Sequence, residues 1–231
     1  MNFQILDIFL ENCYIPLYGI TFLVSLWRYP KYYDSPLKFL PVVLLYTFLN
    51  ELLGEIVKGS PKYNLSFQDM YSSYNIVIYN IYNVVFFLYF YYIFRCHIKK
   101  NGHRKSITIG SCIFLIICLV NPFLQNFVIE PQLYSYVLGS IMLIYCIILY
   151  FIEILGSSKI LYIKEDLLFW ISIGLLLFYV GYIPIKLTRY FFAVENVDIY
   201  MNLRRVHLIL IIIMYGCFIT GFIWMKRRLR D

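Results

Sequence analysis

The sequence predicts an all-α membrane protein, built as a bundle of seven transmembrane helices. Three observations support this fold class. First, 61% of the 231 residues are hydrophobic and only 14% are charged, whereas soluble domains are about half apolar and a quarter charged. Second, the apolar residues fall into blocks of about twenty, the length that a helix needs to cross a bilayer. Third, connectors rich in lysine and arginine alternate with connectors that have few, as membrane topology requires.

The apolar blocks predict seven membrane-spanning helices. In chain order they cover residues 6–27, 38–57, 74–94, 107–124, 133–155, 167–187 and 206–224. The connectors are too short for a soluble domain, so residues 1–231 are expected to form a single polytopic transmembrane domain. A soluble bundle would need polar faces at helical period, and the stretches 107–120 and 208–218 contain almost none. No basic residue precedes the first span, and Asp7 and Glu11 stand where a signal peptide would have lysine or arginine, so we expect a retained helix and not a cleaved signal peptide.

Prolines and glycines predict where individual helices end or touch. Pro16 interrupts the apolar run of the first span. Pro122 predicts the end of the fourth helix, and Pro184 predicts a kink or an end in the sixth, because proline removes a backbone donor. Glycines inside the spans predict close helix packing. These are Gly139, Gly174, Gly181, Gly216 and Gly221.

The basic residues predict the orientation in the membrane. Fourteen of the twenty lysines and arginines lie in the connectors after the first, third and fifth spans, in the C-terminal tail, or at the adjoining helix ends. Because positively charged connectors stay in the cytoplasm, this bias predicts a cytoplasmic C-terminus and an N-terminus outside. The basic residues that border the membrane helices account for the net charge of +7. The expected partner is therefore the lipid bilayer, and nucleic acid is not expected.

A few charges depart from this pattern. Arg189, Arg204 and Arg205 lie on the outer side, where we expect them to pair with Glu195 and Asp198 or to reach the headgroups. On the inner side, Glu153 is expected to reach the headgroups or to pair with Lys159.

Two carboxylates stand in the apolar second span. Glu51 and Glu55 are four residues apart and share one helix face, with Asn50 beside it. The third span opens with a stripe of polar and aromatic residues. This stripe contains Tyr79, Tyr82 and Asn83, with Asn80 at its edge. Glu51 and Asn80 both lie roughly 9 Å from the outer helix ends, at 1.5 Å per residue, so the second and third helices are expected to be antiparallel neighbours with facing polar groups.

Two interpretations of these polar residues stay open. They form either an outward-facing cavity that binds a small ligand or ion, or hydrogen bonds that hold the helices together. An ionised carboxylate facing lipid is disfavoured, so Glu51 should face the bundle interior in either case. The candidate residues are Asn50, Glu51, Glu55, Tyr79, Asn80, Tyr82, Asn83, Lys186 and His207. Glu11, Tyr179, Tyr182, Arg189 and Arg205 are expected at a similar depth.

The sequence contains no pattern typical of catalysis or of a cofactor. HExxH, GxSxG and phosphate-binding loop motifs do not occur, so no catalytic residue is predicted. His97 and His103 lie at the inner side and His207 at the outer side, which excludes a shared metal site. The six cysteines include no CxxC pair, so neither a disulfide framework nor a metal cluster is expected.

Four stretches resemble a large group of uncharacterised seven-helix inner-membrane proteins of Bacteroidetes-type bacteria. They are SPLKFLPVVLLYTFLNELLG, YNIYNVVFFLYFYYIFR, YVLGSIMLIYCIILYFIEIL and DLLFWISIGLLLFYVGYIP. The residues that carry the resemblance are Glu51, Gly54, Gly174 and the runs 79–82 and 169–172. The resemblance implies a sensor module that acts through a separate protein. Members of the group are similar to sensor modules without an output domain, and many are encoded beside histidine kinases that lack membrane segments. It assigns no catalytic residue.

The sequence therefore leads to one main hypothesis and two alternatives. The main hypothesis is an inner-membrane sensor that signals to a cytoplasmic partner, such as a histidine kinase. Its docking surface would be the inner connector with Arg95, Lys99, Lys100, Arg104 and Lys105, although these residues also serve as ordinary topology determinants. The first alternative is a transporter or channel that uses Glu51 and Glu55, and the second is a membrane-embedded lipid enzyme. The oligomeric state stays open.

Overall fold

A computed structural model describes the backbone of residues 2–59, 65–192 and 197–226, and the side chains of residues 7–54, 75–157, 160–192 and 199–226. Within these ranges the chain forms seven α-helices and no strand. The helices are α1 (Asn2–Arg28), α2 (Leu40–Gly59), α3 (Leu65–His97), α4 (Asn101–Val120), α5 (Leu133–Leu155), α6 (Leu167–Phe191) and α7 (Val197–Trp224). Each contains a segment that is long and apolar enough to cross a membrane. The all-α class with seven such helices is confirmed to this extent.

Helix bounds agree best where the apolar run and the helix coincide. The bounds of α5 are those predicted, whereas α3 begins at Leu65 instead of residue 74 and α7 begins at Val197 instead of residue 206. Hydropathy detects only the apolar part of a helix, and polar residues extend these helices beyond it. Pro122 does end the fourth helix, because α4 stops at Val120 and a 3-10 turn follows. The sixth helix continues through Pro184 to Phe191, so its predicted end at residue 187 is wrong.

The helices are divided between two compact units. The first unit contains α1, α2 as far as Glu51, α6 and α7, and the second contains the last residues of α2 with α3, α4 and α5. The single polytopic domain and the pairing of the second helix with the third stay predictions.

In the first unit, α6 and α7 are antiparallel and touch at glycines. A Cβ atom on Gly174 would lie 2.8 Å from the carbonyl oxygen of Met214, and one on Gly181 would lie 2.7 Å from Leu210. Lack of a side chain therefore lets the two backbones approach, which increases dispersion contacts along both helices. Gly221 meets Trp170 in the same way at 2.7 Å.

Helix α1 packs on the other side of α7. The rings of Tyr18 and Tyr215 are perpendicular, with centroids 4.5 Å apart. Phe48 of α2 lies against α1 at Gly19, where an added Cβ would be 3.2 Å from its ring. Near the C-terminal end of α1, the buried hydroxyl of Tyr32 donates a hydrogen bond to the carbonyl of Ser25 at 2.9 Å, and burial raises the pKa of this phenol.

The second unit has an aromatic core around Gly139 of α5. An added Cβ there would lie 2.6 Å from Phe87 of α3 and 2.8 Å from Phe114 of α4, so α5 meets both helices at one point. The rings of Phe87 and Phe114 pack edge to face with centroids 5.7 Å apart, an arrangement that aromatic pairs favour. The hydroxyl of Tyr91 donates to the carbonyl of Gly139 at 2.7 Å.

Glycine packing is confirmed at four of the five predicted positions. Gly139, Gly174, Gly181 and Gly221 lie against a neighbouring helix, but an added Cβ on Gly216 would meet no atom within 4 Å. The prediction for Gly216 is wrong because it lies on a helix face without a close neighbour, and a single sequence does not reveal which face that is.

The contrast between Gly174 and Gly216 predicts opposite effects of alanine. Gly174→Ala places a methyl group against the backbone oxygen of Met214, and such overpacking costs about 1–3 kcal/mol. Gly216→Ala is the matched control, because its methyl group enters open space and alanine favours the helix by about 1 kcal/mol. We expect a lower midpoint of thermal unfolding in detergent for Gly174→Ala and an equal or higher one for Gly216→Ala. Equal losses in both variants would contradict the packing.

Candidate functional site

Charged side chains join the N-terminal ends of α1 and α7 in the first unit. Arg205 donates from Nε to Oδ1 of Asp7 at 2.5 Å and from Nη2 to Oδ2 at 2.8 Å. This two-point contact is the strongest type of arginine–carboxylate pair. Arg204 forms a second ion pair, with 3.0 Å between its Nη2 and Oε1 of Glu11. Because Tyr18 contacts Tyr215 and Arg28 contacts Ile223 further along the two helices, α1 and α7 run parallel.

The expected partners Glu195 and Asp198 lie outside the side chains that the structure describes, so pairing with them stays a prediction. Arg204 and Arg205 pair with residues of the first helix. The signal in the sequence is the presence of Asp7 and Glu11 at the same end of an odd-numbered helix. The sequence does not reveal which residues pair, because the partners are almost two hundred residues apart in the chain.

Helices α6 and α7 each carry three polar or aromatic residues on the side that faces the other helix. In both helices the second residue follows the first by four positions and the third follows by three more, so the three share one helix face. The two faces contain Tyr182, Lys186 and Arg189 on α6 and Tyr200, Arg204 and His207 on α7. The Tyr182 and His207 rings stack with centroids 4.3 Å apart and planes 23° apart. The guanidinium carbon of Arg189 lies 5.4 Å from the centroid of the Tyr200 ring.

Between these two faces lies a group of basic side chains, called here the cationic seam. It consists of Lys186, Arg189, Arg204 and His207. His207 interacts electrostatically with the other three members. Like charges repel one another in an apolar environment, so negative charge nearby stabilises the seam.

Glu51 of α2 supplies a carboxylate near the seam. It interacts electrostatically with Tyr182, which also interacts with Arg189. Thus Tyr182 connects Glu51 with the seam, and the predicted residues Glu51, Lys186 and His207 belong to the same end of the first unit. The neighbouring Asn50 has its amide nitrogen buried without a hydrogen-bond partner.

Arg189 is the member of the seam with unused donors. Its Nε and Nη2 atoms are buried and have no hydrogen-bond partner. These are the two nitrogens with which Arg205 holds Asp7. A buried donor without a partner is costly, so this edge of the guanidinium is suited to an acceptor.

Asn80 has a different environment in the second unit. Its amide nitrogen donates to the carbonyls of Phe127 at 2.9 Å and Glu130 at 3.1 Å, and its oxygen accepts from the backbone N–H of Gln132 at 3.1 Å. The side chain thus holds the connector between α4 and α5. Such bonds are those that the structural interpretation expects, and a role of Asn80 in ligand binding stays a prediction.

The other predicted residues of α3 have different surroundings. Asn83 and Asn80 line a cavity of about 20 Å³, which has room for one water molecule and not for an organic ligand. Tyr82 packs against Phe86 with ring centroids 5.5 Å apart, and Tyr79 is half-buried. The side chain of Glu55 lies outside the described residues.

The predicted docking residues are all exposed. Arg95 belongs to the last turn of α3, Lys99 and Lys100 to the link, and Arg104 and Lys105 to the first turn of α4. The expected connector is therefore mostly helical. Glu153 of α5 accepts hydrogen bonds from the backbone N–H groups of Lys99 and Lys100, which holds the link in place. The side chain of Lys159 lies outside the described residues, so its expected pairing with Glu153 stays a prediction.

Among the described side chains, no group of three His, Cys, Asp or Glu residues is arranged to hold a metal ion. The chain matches no family model, and it has no significant similarity to a curated protein or to a solved structure. The resemblance noted in the sequence therefore stays a prediction.

The bonds of Asn80 predict a strong effect of its removal on stability. Asn80→Ala deletes three hydrogen bonds and leaves buried backbone groups unpaired, for which we expect a loss of about 2–4 kcal/mol. Asn83→Ala is the matched control on the same helix and should change stability by less than about 1 kcal/mol. The measurement is thermal unfolding of the purified protein in detergent. A stable Asn80→Ala variant would show that the connector does not depend on this side chain.

Proposed function

We propose that this is a multi-pass inner-membrane protein that senses a small ligand at the charged end of its first unit and signals to a cytoplasmic partner. The charged end consists of the cationic seam, Glu51 and the ion pairs of Asp7 and Glu11. One observation carries the proposal: ionisable side chains from four helices come together there, although each helix is apolar enough to cross a membrane. Intramembrane charges usually mark functional sites.

Exposed apolar side chains support membrane insertion. Phe9 is 60% exposed, Leu23 is 63% exposed and Leu119 is 72% exposed, and many others resemble them. Large apolar surfaces are unfavourable in water, whereas in a bilayer they face acyl chains. The helix lengths and these surfaces both fit a chain surrounded by lipid.

The charge distribution supports the orientation. The exposed residues Lys99, Lys100, Arg104 and Lys105 lie where α3 ends and α4 begins, on the side that the positive-inside rule assigns to the cytoplasm. Under this rule the charged end faces outward, because α1 and α7 begin there. An outward site can meet ligands that never enter the cell.

Helices α6 and α7 offer a route for the signal. They carry the seam at one end, and at the other Trp170 packs on Trp224 with ring centroids 5.3 Å apart. There Arg28 also donates to the carbonyl of Ile223 at 2.9 Å, and Lys226 pairs with Glu165 at 2.5 Å. A ligand that changes the balance of charge in the seam would shift these helices and alter their inner contacts.

A cytoplasmic partner would have an exposed basic surface available. Arg95, Lys99, Lys100, Arg104 and Lys105 form it, and the hydrogen bonds of Glu153 keep the link between α3 and α4 ordered. The resemblance seen in the sequence implies a histidine kinase without membrane segments as that partner.

A transporter or proton channel is the second candidate. The specific observation in its favour is that Glu51 interacts electrostatically with Tyr182, which stacks on His207, since a series of three titratable groups can relay protons. Protein reconstituted in liposomes should then carry a proton or cation flux that Glu51→Gln abolishes. No flux under any gradient would remove this candidate.

The proposed orientation predicts the behaviour of reporter fusions. Green fluorescent protein fused after residue 226 should fluoresce, and alkaline phosphatase at the same point should be inactive, because that end is cytoplasmic. As a control, fusion after residue 192, beyond α6, should reverse both readings. Active phosphatase after residue 226 would show that the topology is the opposite of the proposed one and that the charged end faces the cytoplasm.

Sensing predicts a regulatory phenotype for Glu51. Glu51→Gln in the chromosome should reproduce most of the transcriptional change of a full deletion, because it removes the carboxylate that interacts with Tyr182 beside the seam. Glu130→Gln is the matched control, since Glu130 is exposed and lies in the second unit. Transcript profiles at equal membrane levels of each variant provide the measurement. A Glu51→Gln strain that resembles the wild type would argue against sensing at this site.

A further inference from the structure

The arginines at the charged end of the first unit differ in whether a carboxylate pairs with them. Among the described side chains, Asp7 is held by Arg205 and Glu11 by Arg204. Arg189 instead contacts the face of the Tyr200 ring and keeps Nε and Nη2 without a hydrogen bond. The edge of its guanidinium that carries these two donors is therefore buried and has no acceptor from the described residues.

We propose that this edge of Arg189 binds an oxyanion, namely a phosphate or carboxylate group. The protein contains its own example of the geometry, because Arg205 uses the same two nitrogens to hold both oxygens of Asp7 at 2.5 and 2.8 Å. A planar fork of two N–H groups matches two oxygens of one anionic group. It does not match a halide or a cation.

The neighbours of Arg189 favour the same kind of ligand. Lys186 precedes Arg189 by three residues on the same face of α6, and His207 interacts with both. An oxyanion between these groups would offset the repulsion among them. The centroid of the Tyr200 ring lies 5.4 Å from the guanidinium carbon, and both donors are buried, which favours a small anionic group.

Two sources can supply this chemistry. Arg189 lies near the C-terminal end of α6, two residues before Phe191, at the depth where lipid headgroups meet a membrane helix. The anion is thus either a free solute or the phosphate of an anionic lipid. This inference deepens the proposed sensing function by naming its ligand class, and its test measures binding without any signalling partner.

The first arm of the experiment uses inorganic phosphate as the probe. The full chain is placed in nanodiscs of neutral phosphatidylcholine, and labelled phosphate is titrated at constant ionic strength. We expect saturable binding that weakens at least about tenfold in Arg189→Gln and Arg189→Lys, because either change removes the fork. Lys164→Gln removes one exposed positive charge elsewhere in the first unit and should bind phosphate as the wild type does.

The second arm uses nanodiscs that contain phosphatidylglycerol and no added phosphate. If the ligand is a headgroup, this lipid should raise the midpoint of thermal unfolding of the wild type and of Lys164→Gln, and it should not raise that of the Arg189 variants. Phosphate binding in the first arm would identify the ligand as a free anion. Stabilisation in the second arm without phosphate binding in the first would identify it as a lipid headgroup. Neither effect in the wild type, or effects that persist in Arg189→Lys, would overturn the proposal.

A measurement on the wild type covers the case in which the variants fail to fold. Phenylglyoxal modifies arginines, and mass spectrometry reads each site. Phosphate or phosphatidylglycerol should protect Arg189 from modification while leaving the reactivity of exposed Arg104 unchanged, and equal reactivity with and without both probes would overturn the site. Failure of Glu51→Gln to alter transcription would remove the sensing function but leave an Arg189-dependent anion site intact.

Discussion

The paired charges of α1 and α7 are the interaction on which the first unit depends. An ionised group among apolar helices is tolerated when an opposite charge and hydrogen bonds replace water. Arg205 meets this condition with both oxygens of Asp7, and Arg204 meets it with Glu11. These pairs hold α1 beside α7, and Gly174 lets α7 approach α6. The positions of three helices thus follow from a few residues.

The two units satisfy their polar groups in different ways. In the second unit, polar side chains bind backbone: Asn80 holds the α4–α5 connector and Glu153 holds the α3–α4 link. In the first unit, charged side chains bind other charged side chains, and Arg189 keeps two donors without a partner. Buried polar atoms without a hydrogen bond occur in both units, for example at Asn121 and Ser135 in the second. The proposed site lies in the first unit because the atoms without a partner there include those of a cation, which can bind an anionic ligand.

The seam also has a suitable position for transmission. Its members lie on α6 and α7, which contact each other along their whole length through Gly174, Gly181 and Gly221. Packed helices of this kind shift as rigid bodies, because close backbone contact leaves little room for local adjustment. A change of charge at one end would therefore be felt at the Trp170–Trp224 contact.

The sequence alone determined the helical class, the number of apolar segments, the bounds of α5 and the end of α4 at Pro122. These features depend on residues that are neighbours in the chain, because hydrophobicity and backbone constraints act locally. Tertiary structure decided which helix faces meet. Depth along a helix is readable from residue count, but rotation about its axis depends on distant partners. For that reason Gly174 and Gly216 look alike in the sequence, and the pairing of Arg205 with Asp7 and the contacts of Asn80 emerge only when the helices pack.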